Sequence, residues 1–230
     1  MPLILNIDTA TELASVCLSN NEEILALKEN SVQKEHASFI HVAIKEVMDR
    51  AGKPLKDIDA VAVTAGPGSY TGLRVGMATA KGLCYALGKP LITINTLEVM
   101  THAAIEGQNG ATTRDTLFCP MIDARRMEVF TALYNSSLKE LLSPCALILD
   151  SFFFNKWLDD RKILFFGNGS KKFKDIADHK NASFIDFYFS ASHLSTLANK
   201  CFNNHQFANL AYAEPLYIKE FHSNNLKPDS

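Results

Sequence analysis

Apolar and polar positions follow two different periods along the first half of the chain. Two apolar runs at its start are joined by the polar turn "TATE", which is typical of an antiparallel hairpin, and a third run extends the hairpin into a meander. Apolar residues then recur at helical spacing up to Ala51, where "GKP" ends the pattern. The predicted order is strands "LILNIDTA", "LASVCLSN" and "EEILALKEN", helix Glu35–Ala51, strand "DAVAVTA", helix Thr71–Leu87, strand "LITI" and a helix from about Asn95.

The pattern restarts after Glu106–Asp115, a polar, glycine-containing stretch that is the best linker candidate. Two series that each open with a hairpin and continue in strand and helix alternation indicate an internally duplicated α/β protein with a cleft between its lobes. No sequence repeat is visible by eye. The second series is predicted as hairpin "LFCPMI" and "EVFTALY", strand "CALIL", helix "SFFFNKWLDD", strands "KILFFG" and "SFIDF", and helix "SASHLSTLANKCF". The predicted units are a first lobe over 1–106, a smaller second lobe over 113–218 and a loose polar tail over 219–230.

The composition, net charge and cysteine content exclude several classes of protein. The 230 residues are 47% hydrophobic and 21% charged, as in an ordinary globular chain. The net charge of −2 gives no electropositive field that recruits nucleic acid, so any RNA contact would come mostly from another subunit. The N-terminus lacks a basic segment, no stretch is long enough to cross a bilayer, and the five scattered cysteines form no CxxC pair. These features predict a cytoplasmic protein with free thiols and no membrane contact.

The stretch "VTAGPGSYTGLRVG" joins a buried strand to a helix. Its glycines permit close approach to the backbone, and the following helix N-terminus would offer free N–H groups to an anion. It is not a Walker A loop, because Leu73 and Arg74 follow Gly72 where Lys and Ser or Thr are required, and its GxGxxxG spacing fits a dinucleotide fingerprint poorly. A phosphate-binding loop and a tight strand-to-helix turn without ligand are equally compatible with these residues.

The helix after this loop carries small residues in two rows. Gly72, Gly76, Ala80 and Cys84 recur every fourth residue, and Ala78, Gly82 and Ala86 form a second row. A glycine inside a helix costs about 1 kcal/mol relative to alanine, so a close contact should compensate for it. One row would pack on the protein's own sheet and the other against a second helix. The preceding helix is also apolar around much of its circumference, so the two helices together predict a surface for a protein partner; a helix enclosed within one lobe is the alternative.

Four segments together resemble the bacterial TsaB family, also called YeaZ: "ILNIDTATELASVCL", "AVTAGPGSYTGLRVGMATAKGL", "PLITINTLE" and "MIDARRMEVFTALY". The similarity covers the chain to about Tyr134. It implies a two-lobe, actin-like fold of the sugar-kinase/Hsp70/actin (ASKHA, RNase H-like) class, with a mixed sheet and helices in each lobe. It also implies a part in the threonylcarbamoylation of adenosine 37 in tRNAs that read ANN codons.

The resemblance further implies a non-catalytic subunit that pairs with a TsaD-like catalytic paralogue, joins a TsaE-like ATPase and reaches tRNA indirectly through the complex. A third interpretation is a chain that self-associates through the same helices as a homodimer when its partner is missing. The partner surface falls on the two helices singled out above. The assigned interface residues are Phe39, Ile40, Ala43, Val47, Gly72, Gly76, Ala80 and Cys84.

Catalytic relatives of this family carry a His-Leu-Glu-Gly-His type run whose two histidines hold a metal. This chain has Thr96 and Met100 at those positions, which are poor ligands for such an ion, so no metal site and no catalytic residue are expected. The loop is then a vestigial nucleotide or phosphate site, in which capping of its own turn is the favoured role of Asp8. Its residues are Asp8, Thr9, Thr11, Gly66, Gly68, Ser69, Thr71 and Gly72. No cofactor of its own is expected, although ATP or ADP at the contact with the partner stays open. The alternative is an active enzyme of the same fold, either an ATP-dependent small-molecule kinase or a metal-dependent transferase or hydrolase.

Two further segments are open to a functional interpretation. "FFGNGS" is either the remnant of an adenosine loop or a helix-entry turn. Arg125 and Arg126 in "DARR" would contact tRNA or an acidic partner, but two arginines make a weak basic patch, so a solvated hairpin turn is favoured.

Overall fold

The structure is a computed structural model that describes residues 1–31, 36–108 and 115–219. Its strands form two five-stranded sheets. The strands are β1 Leu3–Asp8, β2 Ala14–Asn20, β3 Glu23–Asn30, β4 Ala60–Gly66, β5 Leu91–Asn95, β6 Leu117–Asp123, β7 Glu128–Tyr134, β8 Glu140–Ile148, β9 Ile163–Phe166 and β10 Ala182–Phe184. The helices are α1 His36–Arg50, α2 Tyr70–Leu87, α3 Thr96–Gly107, α4 Asn155–Leu158, α5 Ser170–Lys174 and α6 Leu194–Asn203.

The first sheet has the strand order β3-β2-β1-β4-β5. The predicted hairpin pairs Leu3 with Asn20 and Asp8 with Ser15, and β4 lies parallel to β1 on its other side. All six residues of β1 are buried because helices cover both faces of this central strand. The hairpin, the meander and helices α1 and α2 follow the sequence prediction, except that Glu35 lies outside the described residues.

The second sheet repeats the topology of the first. Its order is β10-β9-β6-β7-β8, with β6 antiparallel to β7 and parallel to β9, so that β6 to β10 take the places of β1 to β5. Both sheets therefore have the 3-2-1-4-5 order of an RNase H-like fold. The prediction of a two-lobe α/β fold with a mixed sheet and helices in each lobe is confirmed.

One predicted helix of the second half is much shorter than its sequence pattern. "SFFFNKWLDD" contains only the four-residue α4. The Asp150 carboxylate accepts hydrogen bonds from the N–H groups of Phe152 and Phe153, at 2.7 and 2.8 Å, and this turn delays the start of the helix. Side-chain packing holds this short helix in place, because Phe154 lies in edge-on contact with Phe165 and Phe173.

Helices α3 and α6 lie between the two sheets and join them. Although α6 comes from the second half, it contacts β1, β4 and β5, and α3 from the first half contacts β6 and β7. One cluster of buried side chains accordingly contains Ile4 and Ile92 of the first sheet together with Phe118 and Phe166 of the second. The two lobes thus share a core.

The segment after α6 returns to the first lobe. Ala208 forms a bridge with Leu91, and the Leu216 N–H donates to the carbonyl of Ala65 at 2.7 Å. Lys219 then pairs with Glu128 of the second sheet at 2.7 Å. The predicted limits 1–106, 113–218 and 219–230 stay a prediction, and residues 109–114 of the linker and 220–230 of the tail lie outside the described residues.

All five cysteines are free thiols. None of the helices in the described ranges combines the length and apolar character that crossing a membrane requires.

Candidate functional site: the aspartate turn and the glycine loop

Asp8 ends the central strand β1 and is completely buried. Its Oδ1 accepts a hydrogen bond from the Thr64 hydroxyl at 2.6 Å and one from the Ala10 N–H at 3.1 Å. Its Oδ2 is buried and has no hydrogen-bond partner among the described residues. The carboxyl group therefore caps its own turn, the role that the sequence favoured, and leaves one oxygen unsatisfied.

Burial raises the pKa of Asp8 to about 6, and the hydrogen bonds from Thr64 and Ala10 oppose that rise only in part. An ordinary aspartate takes up a proton only at roughly pH 4, whereas Asp8 takes one up near pH 6 and is still mostly ionised at pH 7. The folded chain therefore holds a proton at Asp8 more readily than the unfolded chain does.

The glycine loop packs directly on the turn that follows Asp8. The Ser69 N–H donates to the Ala10 carbonyl at 2.7 Å, and the Thr9 hydroxyl donates to the Gly72 carbonyl at 2.7 Å. A Cβ added at Gly68 would overlap the Ala10 carbonyl oxygen, and one at Gly72 would overlap the Thr9 carbonyl oxygen. The space left by the missing side chains of Gly68 and Gly72 is thus occupied by the backbone of Thr9 and Ala10. This favours the tight-turn interpretation of the loop.

Several N–H groups that a phosphate would need already have acceptors. Gly72 N–H donates to the Ser69 side chain at 3.3 Å, Gly66 N–H donates to the Thr96 hydroxyl at 3.1 Å, and Ser69 N–H is bonded to Ala10 as described above. Of the other residues assigned to this loop, Thr71 is exposed and Thr11 is half-buried at the cleft between the lobes. A nucleotide at this loop stays a prediction.

Sequence reasoning missed a second copy of this arrangement in the other lobe. Ile122 and Asp123 end β6 as Ile7 and Asp8 end β1, and the carboxylate of Asp123 accepts from the Arg125 N–H at 2.6 Å, again two residues on. "GNGS" at 167–170 follows β9, and "GPGS" at 66–69 begins at the last residue of β4. Gly169 packs on Ile122 and Asp123 as Gly68 packs on Ala10. The short sequences Ile-Asp and Gly-x-Gly-Ser occur in both halves of the chain and could have indicated the repeat.

The two aspartates differ in their surroundings. The Asp123 side chain is partly exposed and pairs with Lys172 of α5 at 2.7 Å. Partial burial raises the pKa of Asp123, but the hydrogen bonds from Lys172 and Arg125 and the charge of Lys172 outweigh it and hold that pKa below its usual value. The first copy thus buries an unpaired carboxyl group, while the second presents a paired carboxylate to solvent.

A small cavity of about 150 Å³ lies between the lobes. Thr11 and Leu13 line it from the first lobe, and Gly167 and Asn168 line it from the second. Phe187 and Phe189 reach into the space from the segment after β10, so the cavity is smaller than the roughly 300–1,000 Å³ of ordinary ligand pockets. "FFGNGS" therefore faces a largely filled cleft.

Thr96 and Met100 have structural roles where the catalytic relatives carry histidines. Both are buried at the start of α3. Thr96 accepts the Gly66 hydrogen bond, and Met100 packs in the core between the sheets.

The assigned partner residues are largely covered by the chain itself. Within α2 the row Gly72, Gly76, Ala80 and Cys84 is buried, and a Cβ at Gly76 would overlap the Thr9 hydroxyl. In α1 the side chains of Ile40, Ala43 and Val47 are also buried, and Phe39 is partly buried. These residues form the contact of both helices with their own sheet, so direct contact with a partner is no longer proposed for them. The exposed row of α2 is the other one, Ala78, Gly82 and Ala86.

Comparison with known proteins places the chain in a family. The family model described as "TsaD: tRNA N6-adenosine threonylcarbamoyltransferase" matches residues 24–227. The chain belongs to this family.

Its similarity to TsaB-named relatives confirms the resemblance found in the sequence. The chain is 40% identical to the "tRNA threonylcarbamoyladenosine biosynthesis protein TsaB" of Escherichia coli over 57% of its own length and 54% of that protein. It is 28% identical to the TsaB protein of Bacillus subtilis over 76% and 75% of the two chains.

The aligned part of the chain thus spans about half the length of the E. coli relative. Among solved structures, YeaZ from Pseudomonas aeruginosa superimposes with a TM-score of 0.77, covering 94% of this chain and all of that one at 23% identity. This similarity shows that the TsaB-like chain shares the YeaZ fold.

We predict that Gly72→Ala destabilises the chain by roughly 1–3 kcal/mol, because the new methyl group meets a backbone oxygen that cannot move away alone. Gly82→Ala in the same helix has open space around its Cβ and should stabilise the chain by about 1 kcal/mol. Urea unfolding of both variants measures the two changes in unfolding free energy. Equal effects at the two glycines would contradict the packing described here.

Asp8 predicts an unusual pH dependence of stability. Because its folded pKa of about 6 lies above the value of 3.8 for the unfolded chain, its contribution is complete below pH 3.8 and is lost as the pH rises through 6. Asp8→Asn removes this loss, so the variant should gain roughly 2–3 kcal/mol relative to the parent between pH 4 and pH 7. Urea titrations at both pH values test this gain.

Asp123→Asn is the matched control for this titration. The pKa of Asp123 is lowered in the folded chain, so its contribution has the opposite sign and is lost as the pH falls. A stability difference between Asp8→Asn and the parent that does not change with pH would show that Asp8 is not buried as a titrating acid.

Proposed function

We propose that this TsaB-like chain is a non-catalytic scaffold or activator subunit for the N6-threonylcarbamoylation of adenosine 37 in tRNAs that read ANN codons. It would bind a TsaD-like catalytic paralogue, and a TsaE-like ATPase would join the assembly. Family membership and the printed names of the TsaB relatives support this proposal. The chain would act by shifting the conformational equilibrium of its partner. The size of that shift is set by the difference between the chain's affinities for the partner's two conformations.

The observation that carries the non-catalytic assignment is the filled glycine loop. The backbone of Thr9 and Ala10 lies where the missing Cβ atoms of Gly68 and Gly72 leave room. The N–H groups of Gly66, Ser69 and Gly72 donate within the chain. A phosphate group would have to displace these contacts, so we propose no cofactor for this chain alone, and place any ATP or ADP at its contact with the partner.

The exposed faces of α1 and α2 form the proposed partner surface. Tyr85 is 83% exposed and Val42 is 57% exposed, so both side chains are accessible to a partner. A groove of about 340 Å³ lies between the helices and is lined by Ile44 and Leu83 among others. None of the residues that the structure describes lies within 4 Å of the Cβ position of Gly82, so no contact among them compensates for a glycine in mid-helix. Close approach of a partner helix along Ala78, Gly82 and Ala86 would compensate for it. A homodimer through the same faces is the expected state when the partner is missing.

One observation favours the enzyme alternative. The unpartnered Oδ2 of Asp8 and its raised pKa are features that also occur at catalytic acids. An active kinase, transferase or hydrolase of this fold would need that carboxyl group, whereas a scaffold would need it only for the turn.

Reconstituted threonylcarbamoylation of a tRNA transcript separates the two functions. We expect no product when the chain is omitted and nearly full product with Asp8→Asn, because asparagine keeps both turn hydrogen bonds. Product formation is followed by nucleoside analysis, with partner binding checked by gel filtration. A folded, partner-bound Asp8→Asn chain that gives no product would favour the enzyme.

The position of the partner surface is tested by Gly82→Leu, which places a bulky side chain on the exposed row of α2. We expect at least tenfold weaker binding to the TsaD-like partner, measured by calorimetry, because the helices can no longer approach closely. Gly107→Leu is the control, since Gly107 is also exposed, has no described residue within 4 Å of its Cβ position and lies at the end of α3. Unchanged affinity of the Gly82 variant would exclude this surface.

A further inference from the structure

Positive charge is concentrated at one end of the second sheet, although the whole chain carries a net charge of −2. The β6–β7 turn, α5 and the end of the returning C-terminal segment bring six cationic residues to this end, and four acids lie there too. The cations are Arg125, Arg126, Lys171, Lys172, Lys174 and Lys219, and the acids are Asp123, Glu128, Asp150 and Asp175.

Lysines already neutralise Asp123 and Glu128. Lys172 bonds to Asp123 at 2.7 Å, which holds α5 beside the turn, and Lys219 bonds to Glu128 at 2.7 Å. Four exposed cations remain, and none of them forms a salt bridge within the described parts of the chain. We call these four residues the basic patch: Arg125, Arg126, Lys171 and Lys174.

The backbone of the turn is strained at the two arginines. Arg125 has φ of 70° and Arg126 has φ of 49°, both in the left-handed region. Asparagine and glycine occupy consecutive positions of this kind at far lower cost, and arginine is unfavourable there. The arginine side chains make no ion pair in the described chain that would compensate for this strain. The hydrogen bonds of the tight turn hold this backbone, since the Glu128 N–H donates to the Arg125 carbonyl at 3.1 Å and the Arg125 N–H donates to Asp123. The turn therefore requires the backbone conformation, but it does not require arginine side chains at these positions.

We propose that the basic patch binds the phosphate backbone of RNA. Exposed guanidinium and ammonium groups without carboxylate partners match phosphate groups in charge, and arginine also matches them in hydrogen-bond geometry. The inference rests on the proposed function, because that function supplies RNA as the occupant. Four cations would contribute to the RNA affinity of the complex but would not make this chain an independent RNA-binding domain. This agrees with the net negative charge of the whole chain. The patch lies on the second lobe, whereas α1 and α2 belong to the first.

The test uses the complex of the full chain with its TsaD-like partner and an unmodified tRNA transcript as the probe. The double variant Arg125→Asn/Arg126→Gly removes both charges and supplies residues that suit the turn. We expect about tenfold weaker binding by fluorescence anisotropy, and a salt slope smaller by roughly 1.4–1.8, since each of the two lost phosphate contacts removes roughly 0.7–0.9. The melting temperature of the free variant should rise by about 2–4 °C, because the turn is relieved of strain. Loss of RNA affinity in a more stable protein cannot be ascribed to unfolding.

Arg161→Gln/Lys162→Gln is the matched control. It removes the same charge from two consecutive exposed cations of the same lobe at the opposite end of β9. The control should bind tRNA as the parent does. Equal affinity of the patch variant and the parent, or equal loss in both variants, would overturn the inference. Loss of the protein partner from the patch variant would overturn it too, because the patch would then contact protein. In each of these cases, product formation that still requires the chain keeps the proposed function intact, and product formation without the chain removes it.

Discussion

The close contact between the start of α2 and the Thr9–Ala10 turn is the constraint on which the first lobe depends. Because Gly68 and Gly72 have no side chains, the turn backbone lies against the loop and forms hydrogen bonds to it. This contact brings the end of β1 beneath α2 and closes Asp8 off from water. A pattern that resembles an anion-binding loop in sequence therefore serves internal packing, and the buried carboxyl group with its raised pKa is a consequence of that packing.

The second lobe contains the same aspartate turn and glycine loop, but less of the chain covers them. Its aspartate makes the same turn hydrogen bond and its Gly-x-Gly-Ser loop follows the equivalent strand. The helix after that loop has only five residues, whereas α2 has 18. The second aspartate therefore stays at the surface, where Lys172 neutralises it. The chain thus contains one buried copy of the arrangement, which packs inside the first lobe, and one exposed copy, whose side chains are available for contacts outside the chain.

Local periodicity was sufficient to predict the strands of both hairpins, α1, α2 and the two-lobe class, because each of these elements is read from its own residues. It could not decide which small-residue row of α2 is buried, since both rows repeat every fourth residue and only the position of Thr9 distinguishes them. The repeat escaped notice because the two copies share only Ile-Asp and Gly-x-Gly-Ser. Burial of Asp8 and the return of Leu216 to Ala65 depend on contacts between residues far apart in sequence, which no local pattern contains.

A scaffold needs a fixed geometry between its contact surfaces, and the shared core between the sheets supplies it. Helices α3 and α6 each pack on strands of the opposite half, so a hinge between the lobes would have to expose side chains such as Ile92 and Phe166 to water. Exposing apolar area costs about 25 cal/mol per Å², so opening even one such side chain is unfavourable by a few kcal/mol. Catalytic proteins with two lobes commonly open and close around a substrate, whereas this chain fills its cleft with Phe187 and Phe189. A rigid molecule of this kind suits the proposed role, because the faces of α1 and α2 on one lobe and the basic patch on the other are then held at a constant separation for a partner and an RNA to meet.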